Sequence, residues 1–399
     1  MLELAEPIVK HPTRERLRVC VVTETYPPEI NGVALTLARL VDGLRARGHD
    51  VSLVRPRQSA ADGVRAGDAP GLTLVPGVPL PGYGGLLMGL PATGVLRERW
   101  RECPPDAVYV ATEGPLGWSA VRAAHALAVP VLSGFHTNFH LYVGHYRGRW
   151  LAGGVARYLR RFHNRTSGTV VATADLRDQL EASGFANVHV LGRGIDSRLF
   201  SPARRSADLR RAWGTSAGDL VALYVGRLAP EKNVEVAVTA YRAMQAHPRV
   251  RRLVLVGDGP VRAVLERAHP DLLFCGAVTG ERLAVHYASA DVFLFPSETE
   301  TFGNVTIEAL ASGLAVVAYD YAAARQHVVH GETGLLVPHG DRAAFIAAAA
   351  GLPVRPDLVR MRRRARASVA ELGWERVVQR IETLLFAACL ASTTGRTRR

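Results

Sequence analysis

Short unbroken apolar runs, each followed by a segment of helical periodicity, recur in two rounds along this chain. RVCVVT (18–23), VSLVRP (51–56), DAVYVATEG, VPVLSGFH, TVVATADL and VHVLGRGI make the first round. VALYVGR (221–227), RRLVLVGDG (251–259), LLFCGAV, DVFLFPS (291–297), AVVAYD (315–320) and GLLVP (334–338) make the second. A strand apolar on both faces must be covered on both faces, which the intervening helices do in a parallel sheet. The rhythm therefore predicts an α/β chain of two doubly wound domains, and 399 residues exceed what one core usually organises. Pro202 and the charged segment ARRSADLRRAWG set the boundary near 200, giving domains over 17–200 and 201–373. A helix over 374–390, able to fold back across the interface, and a flexible polar tail over 391–399 complete the chain. The Gly/Pro-rich stretch 76–94 reads as loop with short helical turns.

The formal charge of +13, most of it arginine, implies a polyanionic partner without choosing among nucleic acid, anionic lipid and phosphorylated substrates. No recognition helix or stacking motif accompanies it, which disfavours nucleic acid. Cys20, Cys103, Cys275 and Cys389 form no CxxC pair and read as reduced thiols. The first 20 residues contain no sustained apolar run, and no segment approaches the roughly 20 apolar residues that span a bilayer. A cytoplasmic protein, peripheral on the inner face of the plasma membrane, is the expectation.

The fold type invites a dinucleotide, but the first strand-to-helix junction, PPEINGVA, offers only Gly32 and lacks G-x-G-x-x-G. GDGP (257–260) follows an apolar strand and begins a helix, so Gly257 and Gly259 could bring backbone N–H groups to a ligand. A tight turn needing glycine geometry accounts for them equally well. No P-loop motif and no D-x-D occur.

Two pairs of charges carry more. Arg227 and Lys232, in GRLAPEKN, lie just after a strand and before a helix, at the carboxyl edge where parallel sheets bind ligands. A diphosphate suits them, although Arg227 could instead pair with Glu231 while Lys232 is solvated. In SETETFGNVTIEALASG (297–313), Glu308 stands among apolar residues. A carboxylate there wants donors, and a ribose diol supplies two hydroxyls, although an exposed position on a short polar strip or an internal ion pair would also account for it. Glu300 precedes Gly303 and would reach a polar headgroup such as a sugar ring, while the N–H groups at Gly303, Asn304 and Val305 suit phosphate. Together these describe a nucleotide sugar.

The chain resembles the GT-B-fold retaining glycosyltransferases of family 4 over nearly its full length. The family's E-x7-E element matches Glu300 and Glu308, its Arg/Lys pair Arg227 and Lys232, its N-terminal glycine loop Gly32, and its active-site histidine His136 in SGFHTNF. The resemblance implies two Rossmann-like domains whose sheets face across a cleft. It further implies Glu308 on the donor ribose, Glu300 on the transferred hexose, Arg227 and Lys232 on the diphosphate, and His136 beside the reacting centre. The usual glutamate-G-F-G is here Glu300–Thr301–Phe302–Gly303, a departure that bears on fit around the sugar. Among subfamilies the chain is most similar to bacterial GDP-mannose-dependent mannosyltransferases and sulfoquinovosyl- or glucosyl-lipid synthases. The expected reaction is metal-independent hexose transfer from GDP-mannose or a UDP-hexose to a lipid or glycan acceptor. An NDP-sugar hydrolase or epimerase and a non-catalytic sugar-nucleotide binder are the alternatives. His136, His140 and His145 invite zinc, but no carboxylate completes a ligand set. From Arg147 to Arg165, arginines alternate with Trp150, Leu151, Val155, Tyr158, Leu159 and Phe162 at helical spacing. Such a helix either lies on anionic lipid or packs its apolar face in the core.

Overall fold

The computed structural model describes residues 15–29, 31–58, 71–79, 87–136, 149–354 and 356–396. Of the sequence expectations, His140, His145, Arg147 and residues 397–399 lie outside these, as do the side chains of Trp150 and Leu151.

The first sheet has strands β1 (Arg18–Val22), β2 (Asp50–Pro56), β3 (Leu72–Val75), β6 (Ala107–Val110), β7 (Val131–Gly134), β8 (Gly168–Val171) and β9 (Val188–Val190), in the order 3-2-1-6-7-8-9. Between β3 and β6, β4 (Gly77–Pro79) and β5 (Leu87–Gly89) pair as an antiparallel ribbon. The stretch expected to hold helical turns is therefore partly strand, with Gly77, Pro79 and Gly89 lying in a two-stranded ribbon where they cost little pairing. The second sheet has β10 (Leu220–Val225), β11 (Val250–Val256), β12 (Leu273–Phe274), β13 (Val292–Phe295), β14 (Ala315–Tyr319) and β15 (Gly334–Val337), in the order 12-11-10-13-14-15. That is the doubly wound order whose direction of growth reverses between its first and fourth strands, here β10 and β13. In the first sheet β1 pairs in parallel with β2 and β6, in the second β10 with β11 and β13, and β13 with β14; β1, β6, β10, β13 and β14 are almost wholly buried, as unbroken apolar strands require.

The chain forms two compact units. One comprises Met1–Phe135, Leu159–Val170 and Arg380–Arg399; the other comprises His136–Tyr158 and Val171–Gln379. The C-terminal helix runs Trp374–Arg396, past the expected end at 390. Within the first unit Glu382 accepts hydrogen bonds from Arg47 (2.7 Å) and His49 (2.8 Å), and the Cys389 thiol donates to the Asp106 carbonyl at 3.3 Å. Also there, the Glu24 carboxylate lies against Gly114 at the start of helix Pro115–Ala126 and accepts from the Leu116 N–H at 3.4 Å. Burial pushes its pKa up to about 7, the Leu116 hydrogen bond opposing and nearby Glu113 assisting.

In helix Arg149–His163, Leu159 and Phe162 are buried and Phe162 packs edge-on against Trp118, so this part of the apolar face belongs to the core. Tyr158, Arg157, Arg160 and Arg161 remain exposed. Among the described residues no helix is long and apolar enough to cross a membrane.

In the second unit, the arginine-rich segment read as a boundary is structural. Arg205, Arg210 and Arg362 converge on buried Asp291, at 2.9, 3.1 and 2.8 Å, and the Val221 N–H donates to the same carboxylate at 2.9 Å. Arg205 and Arg210 also donate to the carbonyls of Ala288, Ser289 and Ala290, the orphan acceptors that end helix Gly280–Ser289.

Candidate functional site

The two strands flanking the reversal point of the second sheet deliver the charged pairs. Beyond β10 the chain runs Gly226–Arg227–Leu228 and turns through Pro230–Lys232. Asn233, in the left-handed conformation at φ 49°, then starts helix Val234–Met244. The Asn233 amide donates to the Pro296 carbonyl (3.2 Å) and the Glu298 carboxylate (2.7 Å), which fixes this turn against the loop that follows β13. Lys232 is thereby aimed along that loop. Its Nζ donates to Glu300 Oε1 at 2.5 Å, to the Thr299 carbonyl at 2.8 Å and to Ser297 Oγ at 3.3 Å. Ser297 Oγ donates to the same Glu300 oxygen at 2.8 Å, and the Tyr321 hydroxyl holds the Glu300 carbonyl at 2.8 Å. Lys232 and Glu300, assigned from sequence to phosphate and sugar respectively, are thus one ion pair here.

Glu308 lies on helix Asn304–Ala311 and is partly buried. Its Oε2 accepts from the fully buried Tyr287 hydroxyl at 2.9 Å, and no cation pairs with it among the described residues. Burial pushes its pKa up to about 7, with the Tyr287 hydrogen bond pulling the other way. The charge on Glu308, after burial, raises the Tyr287 phenol well above its ordinary range. A carboxylate with one neutral donor retains acceptor capacity for hydroxyls.

The start of that helix is uncapped by any side chain, and Gly303 precedes it at φ 91°, a conformation that favours glycine. The Thr306 N–H turns back to the Gly303 carbonyl at 3.0 Å, and the N–H groups of Asn304 and Val305 lie in the first turn, where the helix itself supplies no acceptor. Thr299 Oγ1 and Asn304 Oδ1, which flank Glu300, are buried without a hydrogen-bond partner among the described residues. Orphaned polar atoms of this kind in a folded interior call for a ligand or a water.

Gly257 and Gly259 serve close packing. A Cβ at Gly257 would lie 1.9 Å from the Gly226 carbonyl oxygen, and one at Gly259 2.3 Å from that of Leu228. The two post-strand loops are zipped by Gly226 N–H to Val256 O (3.0 Å) and Leu228 N–H to Asp258 O (2.9 Å). The Gly257 N–H goes to the Gly276 carbonyl at 2.8 Å, and that of Gly259 to its neighbour Asp258 at 2.7 Å. Arg227 is exposed beside these glycines, its carbonyl accepting from the Tyr224 hydroxyl at 3.1 Å. Gly32 belongs to the first unit and opens helix Gly32–Ala46, where Asn31 Oδ1 already accepts the N–H groups of Val33 and Ala34.

His136 is buried in the second unit, with two neighbours that sequence reasoning missed. Arg193 donates to its Nδ1 at 2.9 Å, and Thr301 Oγ1 donates to its backbone carbonyl at 3.1 Å. Thr301 had been noticed only as a departure from a glycine; nothing in LGRGID marked Arg193. Among the described residues no group of three His, Cys, Asp or Glu side chains could hold a metal ion.

Comparison with known proteins places the chain among glycosyltransferases. The model of "Glycosyltransferase Family 4" matches residues 30–199, and that of "Glycosyl transferases group 1" matches residues 219–352. A GDP-mannose-dependent alpha-mannosyltransferase of Mycobacterium tuberculosis is 35% identical over 327 residues, covering 82% of this chain and 85% of the relative. A GDP-mannose-dependent alpha-(1-6)-phosphatidylinositol dimannoside mannosyltransferase of the same species is 29% identical over 390 residues, 96% of this chain and 99% of the relative. Among solved structures, a sucrose-phosphate synthase of Thermosynechococcus elongatus superposes with a TM-score of 0.76 at 22% identity, covering 93% of this chain and 99% of the other.

Proposed function

The chain belongs to glycosyltransferase family 4, with the GT-B-like architecture of two Rossmann-like domains, and from that premise we propose a GDP-mannose-dependent, retaining mannosyltransferase with a membrane lipid acceptor. It is a hexosyltransferase that moves a hexose from an NDP-sugar to a lipid or glycolipid. The choice of mannose and guanine rests on the two mycobacterial relatives, both GDP-mannose-dependent by name. The choice of lipid rests on the second, named for a phosphatidylinositol mannoside.

The observation that carries the residue roles is the Lys232–Glu300–Ser297 cluster at the strand reversal point, one helical segment from the under-satisfied Glu308. In our reading Glu308 accepts hydrogen bonds from the donor ribose. Arg227, Lys232 and the N–H groups of Asn304 and Val305 take the diphosphate, and Glu300 takes hydroxyls of the hexose. Gly303 admits the phosphate; Gly257 and Gly259 shape the wall beside the nucleoside, and Gly32 keeps the donor-loop role that the family resemblance gives it.

The bond from the anomeric carbon to the diphosphate oxygen breaks, and the acceptor hydroxyl oxygen bonds to that carbon on the same face. The hydroxyl proton passes to the departing diphosphate. Charge developing on the leaving group is where Arg227, Lys232 and the helix start act, since donors fixed in advance favour the transition state over the ground state. We read the transfer as metal-independent, because two cations and a helix start supply this charge and the sequence has no D-x-D. His136 orients the hexose near the reacting carbon.

We further propose that helix Arg149–His163 rests on the inner face of the plasma membrane through Arg157, Arg160, Arg161 and Tyr158, which are exposed while Leu159 and Phe162 are in the core.

The test incubates the purified chain with isotope-labelled GDP-mannose, UDP-glucose or UDP-galactose and vesicles carrying phosphatidylinositol or diacylglycerol. An alpha-linked mannolipid formed from GDP-mannose supports the reading. Transfer only from a UDP-hexose, or only to a water-soluble glycan, overturns the donor or acceptor assignment.

A further inference from the structure

We propose that Arg193 is a positioning residue that fixes His136 as the neutral imidazole carrying its proton on Nε2. The inference rests on the reading of His136 as the residue that orients the hexose, and it adds how the ring is set for that task.

A guanidinium donates hydrogen bonds and accepts none, and it stays charged at any pH a protein survives. Arg193 Nη2 stands 2.9 Å from His136 Nδ1, and both side chains are buried. Nδ1 must therefore be the bare, accepting nitrogen. An imidazolium would point a second N–H at the guanidinium and set like charges together in a poorly solvated place. The ring then keeps one proton, on Nε2, which makes that atom a hydrogen-bond donor suited to a sugar oxygen.

The guanidinium is itself braced. Arg193 Nη1 donates to the Gly192 carbonyl at 2.8 Å. The next residue, Gly194, has no room for a side chain, since a Cβ there would meet Trp374 Cα at 2.6 Å. The Ile195 N–H then bonds the Leu372 carbonyl at 2.6 Å. The segment Gly192–Ile195 is thus clamped from behind, and Arg193 cannot drift with its loop. The backbone of His136 is held separately by Thr301 Oγ1, from the loop that carries Glu300. Side chain and main chain of His136 are fixed by different residues, so the two can be separated by mutation.

The first measurement is independent of turnover. Long-range 1H–15N spectra of the full chain labelled at histidine nitrogen, with His136 assigned by its loss in His136→Gln, report which nitrogen carries the proton. Nε2 protonated and Nδ1 bare at pH 7 supports the proposal. A proton on Nδ1, or on both nitrogens, overturns it, whether or not any donor and acceptor are turned over. The second compares Arg193→Met, which keeps the stem and removes every donor, with Arg193→Lys, which keeps one. The Met variant is expected to lose the fixed tautomer and to lower kcat by about tenfold to a hundredfold, the cost of a misplaced orienting group, with donor KM nearly unchanged. The Lys variant recovers part of both. An unaltered His136 spectrum in Arg193→Met overturns the proposal, as does equal loss in the Met and Lys variants. Should the Met variant not fold, the wild-type spectrum still decides.

Discussion

Strand β13 carries an acid near each end, and the two are treated in opposite ways. Asp291, just before the strand, is almost inaccessible and receives three guanidinium groups and a backbone N–H. Beyond its other end, Glu300 accepts from the Lys232 ammonium and the Ser297 hydroxyl, and Glu308, a short helix further, accepts from the Tyr287 phenol. Around Asp291 the guanidinium donors also end on backbone carbonyls, so the arginine surplus is absorbed by a helix terminus. Around Glu300 and Glu308 two side-chain oxygens, Thr299 Oγ1 and Asn304 Oδ1, are buried with no partner among the described residues, whereas around Asp291 the atom so left is a donor, Arg210 Nε. A carboxylate whose acceptor positions are all taken holds a fold; we propose that unmet acceptors beside the other two acids serve a ligand's hydroxyls.

The largest effect expected from this contrast is at the saturated end. Asp291→Asn leaves three clustered arginines without their counter-charge, and breaking such a network costs roughly 3–5 kcal/mol of stability. Urea unfolding measures it, and nucleotide affinity of the folded fraction should be unchanged. A loss no larger than that of an ordinary surface substitution would erase the distinction. At the other end the order reverses. Lys232→Met should lower kcat for transfer by about a hundredfold to a thousandfold, the scale seen on removing one preorganised donor to developing charge. Glu308→Gln should weaken GDP binding by about tenfold or more, since a hydrogen bond to a charged acceptor contributes roughly 1.5–3 kcal/mol. Its stability at pH 8 should hold or rise, because a buried charge is removed. Calorimetric titration against GDP separates these outcomes, and a Glu308→Gln variant that binds GDP as well as wild type would remove the ribose assignment.

How much of this was readable in advance follows the range of each interaction. Apolar runs and post-strand charges are local, so the two sheets, the Arg227–Lys232 turn and the Glu300–Glu308 spacing stood in the sequence. The partners were not local. Nothing in ARRSADLRRAWG announces that Arg205 and Arg210 end on Asp291, because a buried ion pair leaves no periodicity behind. The same segment therefore reads from sequence only as the mark of a domain boundary. Lys232 and Glu300 were each assigned a piece of ligand, and their bond to each other required the turn at Asn233, whose positive φ no propensity foretells. Arg193 lies in a strand-to-loop junction where its guanidinium could have gone to solvent, and its contact with His136, 57 residues away, is not local.

The smallest effect is the most specific to the under-satisfied acid. Burial lifts the Glu308 pKa to about 7, against about 4.3 for an unfolded glutamate. Between those values the native state binds a proton that the unfolded chain does not, so this group's contribution to stability is complete below the lower value and is lost as pH rises through the upper one. Glu24, also pushed up to about 7 by burial, acts in the same sense. His327 acts against them, its pKa brought down by burial to about 4, so that falling pH destabilises the native state over part of the same window. The raw pH profile of the wild type is a sum of opposed slopes and decides nothing. The difference between wild type and Glu308→Gln isolates one of them: wild type should lose stability relative to the variant as pH is raised from 5 to 8. With GDP bound the difference should shrink, because ribose hydroxyls that hydrogen-bond the ionised carboxylate return part of what its burial costs. A difference that is flat with pH would mean that Glu308 ionises as a solvated glutamate does, and the contrast between the two ends of β13 would then reduce to their positions alone.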